Sequence, residues 1–278
     1  MEILFFCPYW GKRHVDIVDF AQQVKAAGFD GVEMDLPWDT REHERVVAVL
    51  KDYELALIAQ HWETHLTDIE AHRLAYERCL RHQAGGQPLF INSHTGKDFF
   101  SFAQNKSLIE LAVAVARDTG VRILHETHRG RFSFAAHVTQ RYLEDNEELF
   151  LALDLSHWCA VAESLLEDQP AAVNLALDRA RHIHARVGFA EGPQITDPRA
   201  PEWREAVERH LQWWDRIIEK ARRRGDEVFP ITPEFGPFPY LQHLPHTDMP
   251  IVSQWDINVY MKDLLKERFL VQQPESIE

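Results

Sequence analysis

Eight short apolar runs, rich in β-branched and aromatic residues, recur along the chain between longer segments with helical spacing, and no other feature restricts the fold as tightly. The runs are Glu2 to Cys7, Gly31 to Met34, Leu55 to Ala59, Leu89 to Asn92, Val121 to Leu124, Leu149 to Leu153, His182 to Ala185 and Val228 to Thr232. Helical spacing marks Val15 to Ala27, Leu66 to His82, Leu108 to Thr119, Phe134 to Glu144, Trp158 to Leu166, Glu202 to Arg224 and Gln254 to Glu267. Gly28 and Gly120 sit where C-caps belong, and Ser253 with Asp256 resembles a capping box. Eight strand-helix units of about 35 residues each suit a (β/α)8 TIM barrel better than a doubly wound sheet. The sequence after the first run, CPYWGKRH, also lacks the glycine pattern of a dinucleotide-binding turn. A single barrel over residues 1–271 with a polar tail over 272–278 follows.

Composition narrows what such a barrel does. The chain is 45% hydrophobic and 27% charged, so it has the material for a large core. Its net charge of −14 repels polyanions, which argues against nucleic acid as a partner. No run approaches the roughly 20 apolar residues of a membrane span, and MEILFFCPYWGKR lacks the features of a secretory signal, so the expectation is a cytoplasmic protein without a membrane partner. Cys7, Cys79 and Cys159 are far apart and read as small buried hydrophobes.

In this architecture the active site lies where strands end and the following loops begin. The first polar residues after the apolar runs are Gln60 and His61, Ser93 and His94, His125 and Glu126, Asp154 with His157 close behind, then His184 and Glu234. Six consecutive strands thus deliver an ionisable or imidazole group to one rim. Glu126, Asp154, His184 and Glu234, separated by 28, 30 and 50 residues, form the best set. Each alone has an ordinary reading, and Asp154 would serve as an N-cap for the helix after it. Together they would bury uncompensated negative charge unless a cation sat among them. Three carboxylates and an imidazole favour one divalent ion, Mn, Mg or Co over a closed structural Zn site, with open positions for two oxygens of a sugar.

At these residues the chain resembles the xylose-isomerase-like barrel superfamily of sugar-phosphate isomerases and epimerases, which includes ketose 3-epimerases, hydroxypyruvate isomerases and apurinic endonucleases. The resemblance is carried by GFDGVEMD (Gly28 to Asp35), INSHTG (Ile91 to Gly96), LHETH (Leu124 to His128), LDLSHW (Leu153 to Trp158), HIHARVG (His182 to Gly188) and TPEFGP (Thr232 to Pro237), in that order over nearly the whole chain. It implies that Glu126, Asp154, His184 and Glu234 hold one metal, and that Glu126 and Glu234 also act as acid and base on opposite faces of the substrate. His157 matches a position that contacts substrate in the epimerases and binds a second metal in the endonucleases. Two epimerase contacts are replaced here by Phe132 and Ala190, and Asp197-Pro198-Arg199 stands where the endonucleases have Asp-x-His.

The chemistry agrees with that assignment. A C–H beside a carbonyl is not acidic enough at pH 7 unless the enediolate is stabilised, which a metal bridging both oxygens does as a Lewis acid. Arg129 and Arg186 follow the ligands Glu126 and His184 closely enough to grip an anionic group, while His61 and His94 can hydrogen-bond sugar hydroxyls. Trp10 and Trp38 can wall a sugar pocket. The long loops Gly188 to Pro201 and Phe235 to Val252 read as lids, the latter bringing Phe238, Tyr240, His243 and His246. The expectation is a metal-dependent enzyme acting on a small carbohydrate, an isomerase or epimerase, with a manganese-type cofactor and a homodimer as a possible assembly. A metal-dependent phosphodiesterase or apurinic endonuclease is the alternative, and a lyase or dehydratase a variant on the same scaffold.

Overall fold

The computed structural model describes residues 1–271, so the polar tail expected over 272–278 lies outside the described residues. Eight strands, β1 (Glu2–Pro8), β2 (Gly31–Met34), β3 (Ala56–His61), β4 (Ile91–Ser93), β5 (Ile123–Glu126), β6 (Leu151–Leu153), β7 (Ala180–His184) and β8 (Val228–Thr232), pair in sequence order. All pairs are parallel, and β8 returns to β1 through Glu2 opposite Val228, so the sheet closes into the (β/α)8 barrel expected from the sequence. The strands are almost wholly buried, as parallel strands covered by helices must be.

Nine helices surround the described barrel: α1 (Ile17–Ala26), α2 (Thr40–Asp52), α3 (Ile69–Ala84), α4 (Phe102–Thr119), α5 (Ala136–Asp145), α6 (Leu155–Ala162), α7 (Pro170–Arg179), α8 (Arg204–Arg224) and α9 (Gln254–Lys266). Their ends are chemically specified. Asp39 and Asp68 cap α2 and α3, Ser101 and Gln104 form a reciprocal capping box on α4, and Ser253 accepts from the Asp256 amide at 3.2 Å. Gly120 and Gly225 end α4 and α8 in the left-handed region, where a side chain would be strained.

Two helices, α2 and α7, lie outside the helical segments read from the sequence. Only Val46 and Leu50 of α2 are buried, and α7 begins with Pro170 and buries mostly small residues. The basic run Lys220 to Arg224 is a solvent-facing helix end. Its side chains reach Asp178, Glu219, Asp226 and the Phe269 carbonyl. Trp213 and Trp214 belong to the main core, and the three cysteines are buried and unpaired. No helix among the described residues is long and apolar enough to cross a membrane.

The barrel interior positions the site. Pairing registers put Phe6, Ile58, Leu124 and Ala152 on inward positions, where with Phe90 they form a small apolar cluster. Inward positions on the same eight-stranded wall also carry Glu33, Asn92, Glu126, His182, His184 and Thr232, all buried. A plug of ionisable groups thus sits in the barrel.

Candidate metal centre and its cavity

Several strands end one or two residues later than the apolar runs suggest, because the polar residues at their ends continue the ladder. Glu126 is the last residue of β5 and His184 the last of β7. Asp154 follows β6 directly and caps α6, accepting from the Ser156 amide at 2.9 Å and the Ser156 hydroxyl at 2.5 Å. Glu234 lies two residues beyond β8. One donor atom from each of Glu126, Asp154, His184 and Glu234 lies within 4.8 Å of the other three, and all four residues are buried.

His184 is the pivot of this set. Its Nε2 faces Glu33, 2.9 Å from Oε1 and 3.0 Å from Oε2, which turns Nδ1 toward Glu234 Oε2 at 2.9 Å and Glu126 Oε2 at 3.7 Å. Nδ1 is sealed from solvent yet aligned with no hydrogen-bond partner. A carboxylate fixing one imidazole nitrogen while the other points into a carboxylate cluster is the usual support of a metal-bound histidine. Burial disfavours charge on this ring, but Glu234, Glu33 and Glu126 outweigh it and hold its pKa well above the ordinary value. For Glu33, burial acts to raise the pKa and the facing His184 and His182 overcome it, leaving the carboxyl well below its usual range.

The donor set fits a divalent cation. Four carboxylates, those of Glu33, Glu126, Asp154 and Glu234, are buried around the His184 ring, and one guanidinium, that of Arg186, lies close to two of them, Asp154 and Glu234. Such an excess of buried negative charge calls for a cation. Arg186 donates through Nη2 to Asp154, reaches within 3.6 Å of Glu234, and gives a 2.7 Å hydrogen bond to His157 Nε2. Burial acts against its charge, but Asp154 and Glu234 raise its pKa further. One carboxylate oxygen of Asp154 is thereby taken by Arg186 and the other by Ser156, so a metal at this rim would share Asp154 with the guanidinium.

Above the cluster opens a cavity of about 340 Å³, walled in part by Trp10, Trp62, Tyr240, Glu126, Glu234 and Arg186. This is small-molecule scale. Trp10 meets Tyr240 edge to face at 5.0 Å, and the Arg186 guanidinium lies 4.8 Å from the Tyr240 ring. Gln194 bonds the amide and carbonyl of Gly236 at 2.7 and 3.2 Å, which ties the loop after β7 to the loop after β8. Phe238 is exposed and meets His243, while Trp38 is stacked on His82 at 4.1 Å and does not line the cavity.

The remaining expected substrate contacts divide. His94 lines the cavity, with Nε2 3.0 Å from Glu126 Oε2. His157 is buried beneath Arg186. Arg129 is exposed at the mouth, 3.3 Å from the Tyr240 hydroxyl. His61 is turned away: its nitrogens meet Ser93 Oγ at 3.1 Å and Thr64 Oγ1 at 2.7 Å, so a hydroxyl network takes the ring, and it does not line the cavity.

Glu33, Asn92 and His128, together with Trp62 and Arg131 of the cavity wall, escaped the sequence reading. Glu33 takes hydrogen bonds from Thr232 (2.6 Å) and Asn92 (2.8 Å) besides the imidazoles of His182 and His184, and Asn92 also donates to Glu126 at 2.7 Å. His128 lies between His94 and His157, its ring tilted to both, with ring centres 4.3 and 4.0 Å away. Burial first, joined by the Arg186 guanidinium and at His94 also by that of Arg131, holds His94, His128 and His157 well below the usual imidazole pKa. A buried acid inside the four-residue strand GVEM was the available signal for Glu33.

No protein-family model matches the sequence, and no curated protein matches it. Solved structures match over nearly the full length. Endonuclease IV from Thermus thermophilus is 14% identical, with a TM-score of 0.60 over 98% of this chain and 100% of its own. A probable 3-DHS dehydratase from Bacillus anthracis is 18% identical, with a TM-score of 0.61 over 96% of this chain and 100% of its own. The 3-keto-D-glucoside 4-epimerase of E. coli is 15% identical, with a TM-score of 0.58 over 96% of this chain and 99% of its own. At these identities the likeness is one of fold alone, the closed (β/α)8 barrel.

Proposed function

We propose that this protein is a divalent-metal-dependent isomerase or epimerase acting on a small carbohydrate by proton transfer. The observation that carries the reading is the convergence of Glu126, Asp154, His184 and Glu234 within 4.8 Å, with both glutamates lining the cavity. A divalent ion held by these four residues would supply Lewis acidity, polarising a carbonyl and making the neighbouring C–H removable. The protein's own groups do the rest. Glu126 and Glu234 approach the cavity from β5 and from the loop after β8, so one takes a proton from the substrate and the other returns it. Delivery to the opposite face of the same carbon gives an epimer, and delivery to the neighbouring carbon exchanges aldose and ketose. Trp10, Trp62 and Tyr240 restrict water and offer aromatic faces to a sugar ring.

The fold likeness to a sugar epimerase supports this reading, and the likeness to a dehydratase keeps elimination at the same site as a variant. A hydrolytic reading rests on a second donor group, His94, Glu126 and His128, which shares Glu126 with the first and could hold another ion. The fold likeness to endonuclease IV agrees with it, but the net charge of −14 opposes a polyanionic substrate. Incubation of the Mn²⁺-loaded protein in D2O with a panel of ketoses, aldoses and sugar acids tests the proposal. Deuterium should appear by NMR at a carbon flanking the carbonyl of at least one panel member. Cleavage of a model phosphodiester with no such exchange would overturn the isomerase reading.

A further inference from the structure

Three guanidinium groups line the cavity, and two of them have carboxylate partners. Arg13 reaches Asp35, and Arg186 reaches Asp154. Arg131 is 5% exposed, and among the described residues no carboxylate oxygen lies within 4.0 Å of its nitrogens. Glu126 and Asp98 act on Arg131 only from beyond that distance, and burial outweighs them and lowers its pKa to about 10. Buried charges in folded proteins are paired or bound to ions, so an arginine facing a cavity with no carboxylate in contact marks a place where a ligand brings one.

The donors of Arg131 narrow that ligand. Nη1 gives hydrogen bonds to the Thr64 carbonyl at 2.9 Å and the Gly96 carbonyl at 3.4 Å, and Nη2 gives one to the Trp62 carbonyl at 2.8 Å. Those contacts fix the side chain against the loops after β3 and β4 and use three of its five N–H groups. What is left is Nε–H and one hydrogen on Nη2. Elsewhere in this protein the same two nitrogens hold a carboxylate side on. Arg199 does so to Asp197 at 2.8 and 2.7 Å, and Arg268 to Asp215 at 2.6 Å twice. Two donors in one plane match the two oxygens of a carboxylate. A phosphate dianion would draw on further positive groups, and the other two guanidinium groups of the cavity already have partners. Arg131 follows Glu126 by five residues in the loop after β5, and both line the same cavity.

We propose that Arg131 receives a carboxylate of the substrate, so that the molecule taken into this cavity is a sugar acid and not a neutral sugar. The proposal rests on the isomerase reading for the use of the cavity, but its test needs no turnover. Calorimetric titration of the Mn²⁺-loaded full chain would compare aldonates of four to six carbons with the alditols of the same configuration and with their phosphate esters. At least one aldonate should bind about tenfold or more tightly than its alditol. Arg131→Met should weaken that aldonate about 30-fold or more while changing alditol binding little, because a buried charged pair is lost. Arg131→Lys, which keeps the charge without the planar fork, should recover only part of the affinity.

A purely structural role for Arg131 would weaken acid and alditol alike, so the ratio between them is the deciding quantity. Metal content at the wild-type level shows that the variants keep the floor of the site, and if neither variant folds, the wild-type panel decides alone. Aldonates binding no more tightly than their alditols would overturn the proposal, and so would tightest binding by the phosphate esters. Loss of the isomerase reading in the deuterium experiment would leave this binding result standing, and the reverse also holds.

Discussion

Glu126→Gln and Glu234→Gln should each lower substrate turnover by about 10²- to 10⁴-fold, the range expected when a positioned acid or base is removed. Glutamine keeps the length of the side chain and an oxygen facing the rim, but its amide neither takes nor returns a proton. The two variants should also differ from each other. The one that removes the first proton should abolish both deuterium exchange and product formation. The other should let the first step proceed, so that exchange into recovered substrate outlasts net conversion. NMR of the same reaction separates the two quantities. Wild-type turnover in both variants would remove the glutamates from the chemistry.

Glu33→Gln is expected to have the second largest effect, although this carboxylate does not line the cavity. It accepts from His182, His184, Thr232 and Asn92. With an amide in its place, one of its two ends becomes a donor facing donors, and His184 loses one of the carboxylates that hold its pKa up. Breaking a buried ionic arrangement in this way costs about 3–5 kcal/mol, read as a shift in the urea midpoint at unchanged slope. His184 would also lose the partner that directs Nδ1 to the rim, so metal affinity should fall about 10- to 100-fold. Competition with a chelator measures that fall. Affinity equal to wild type would mean that β7 and its packing alone orient His184.

The barrel was legible because its strands are buried on both faces and therefore read as continuous apolar runs. Their ends were less legible for the same reason. Gln60, His61, His125 and Glu126 are strand residues, yet a rule that stops at the first polar side chain leaves them outside. Positions just past the runs hold Glu126, Asp154 and Glu234, and His184 stands near the end of its own run. Glu33, which lies within a run, and Asn92, which ends one, were passed over, because an inward position in a small barrel admits a polar group only when several partners converge from distant strands. Those partners include Thr232 and His182, each more than a hundred residues from Glu33. The rotation of His61 into Ser93 and Thr64 depends likewise on contacts that spacing does not reveal. Helices α2 and α7 also fell outside the reading, although Val46, Val47 and Leu50 of the one and Ala172, Val173, Ala176 and Leu177 of the other stand at helical spacing.

The metal content of the protein tests the account most directly. Purified without a metal-affinity tag and measured by elemental analysis, the wild-type chain should carry about one Mn, Mg, Co or Zn ion, as a single site of three carboxylates and one imidazole predicts. Glu234→Ala should lose that ion while keeping the wild-type circular dichroism. No metal in the wild type, even after soaking in Mn²⁺, would contradict the assignment of all four ligands, and two or three zinc ions per chain would turn the search toward phosphodiesters.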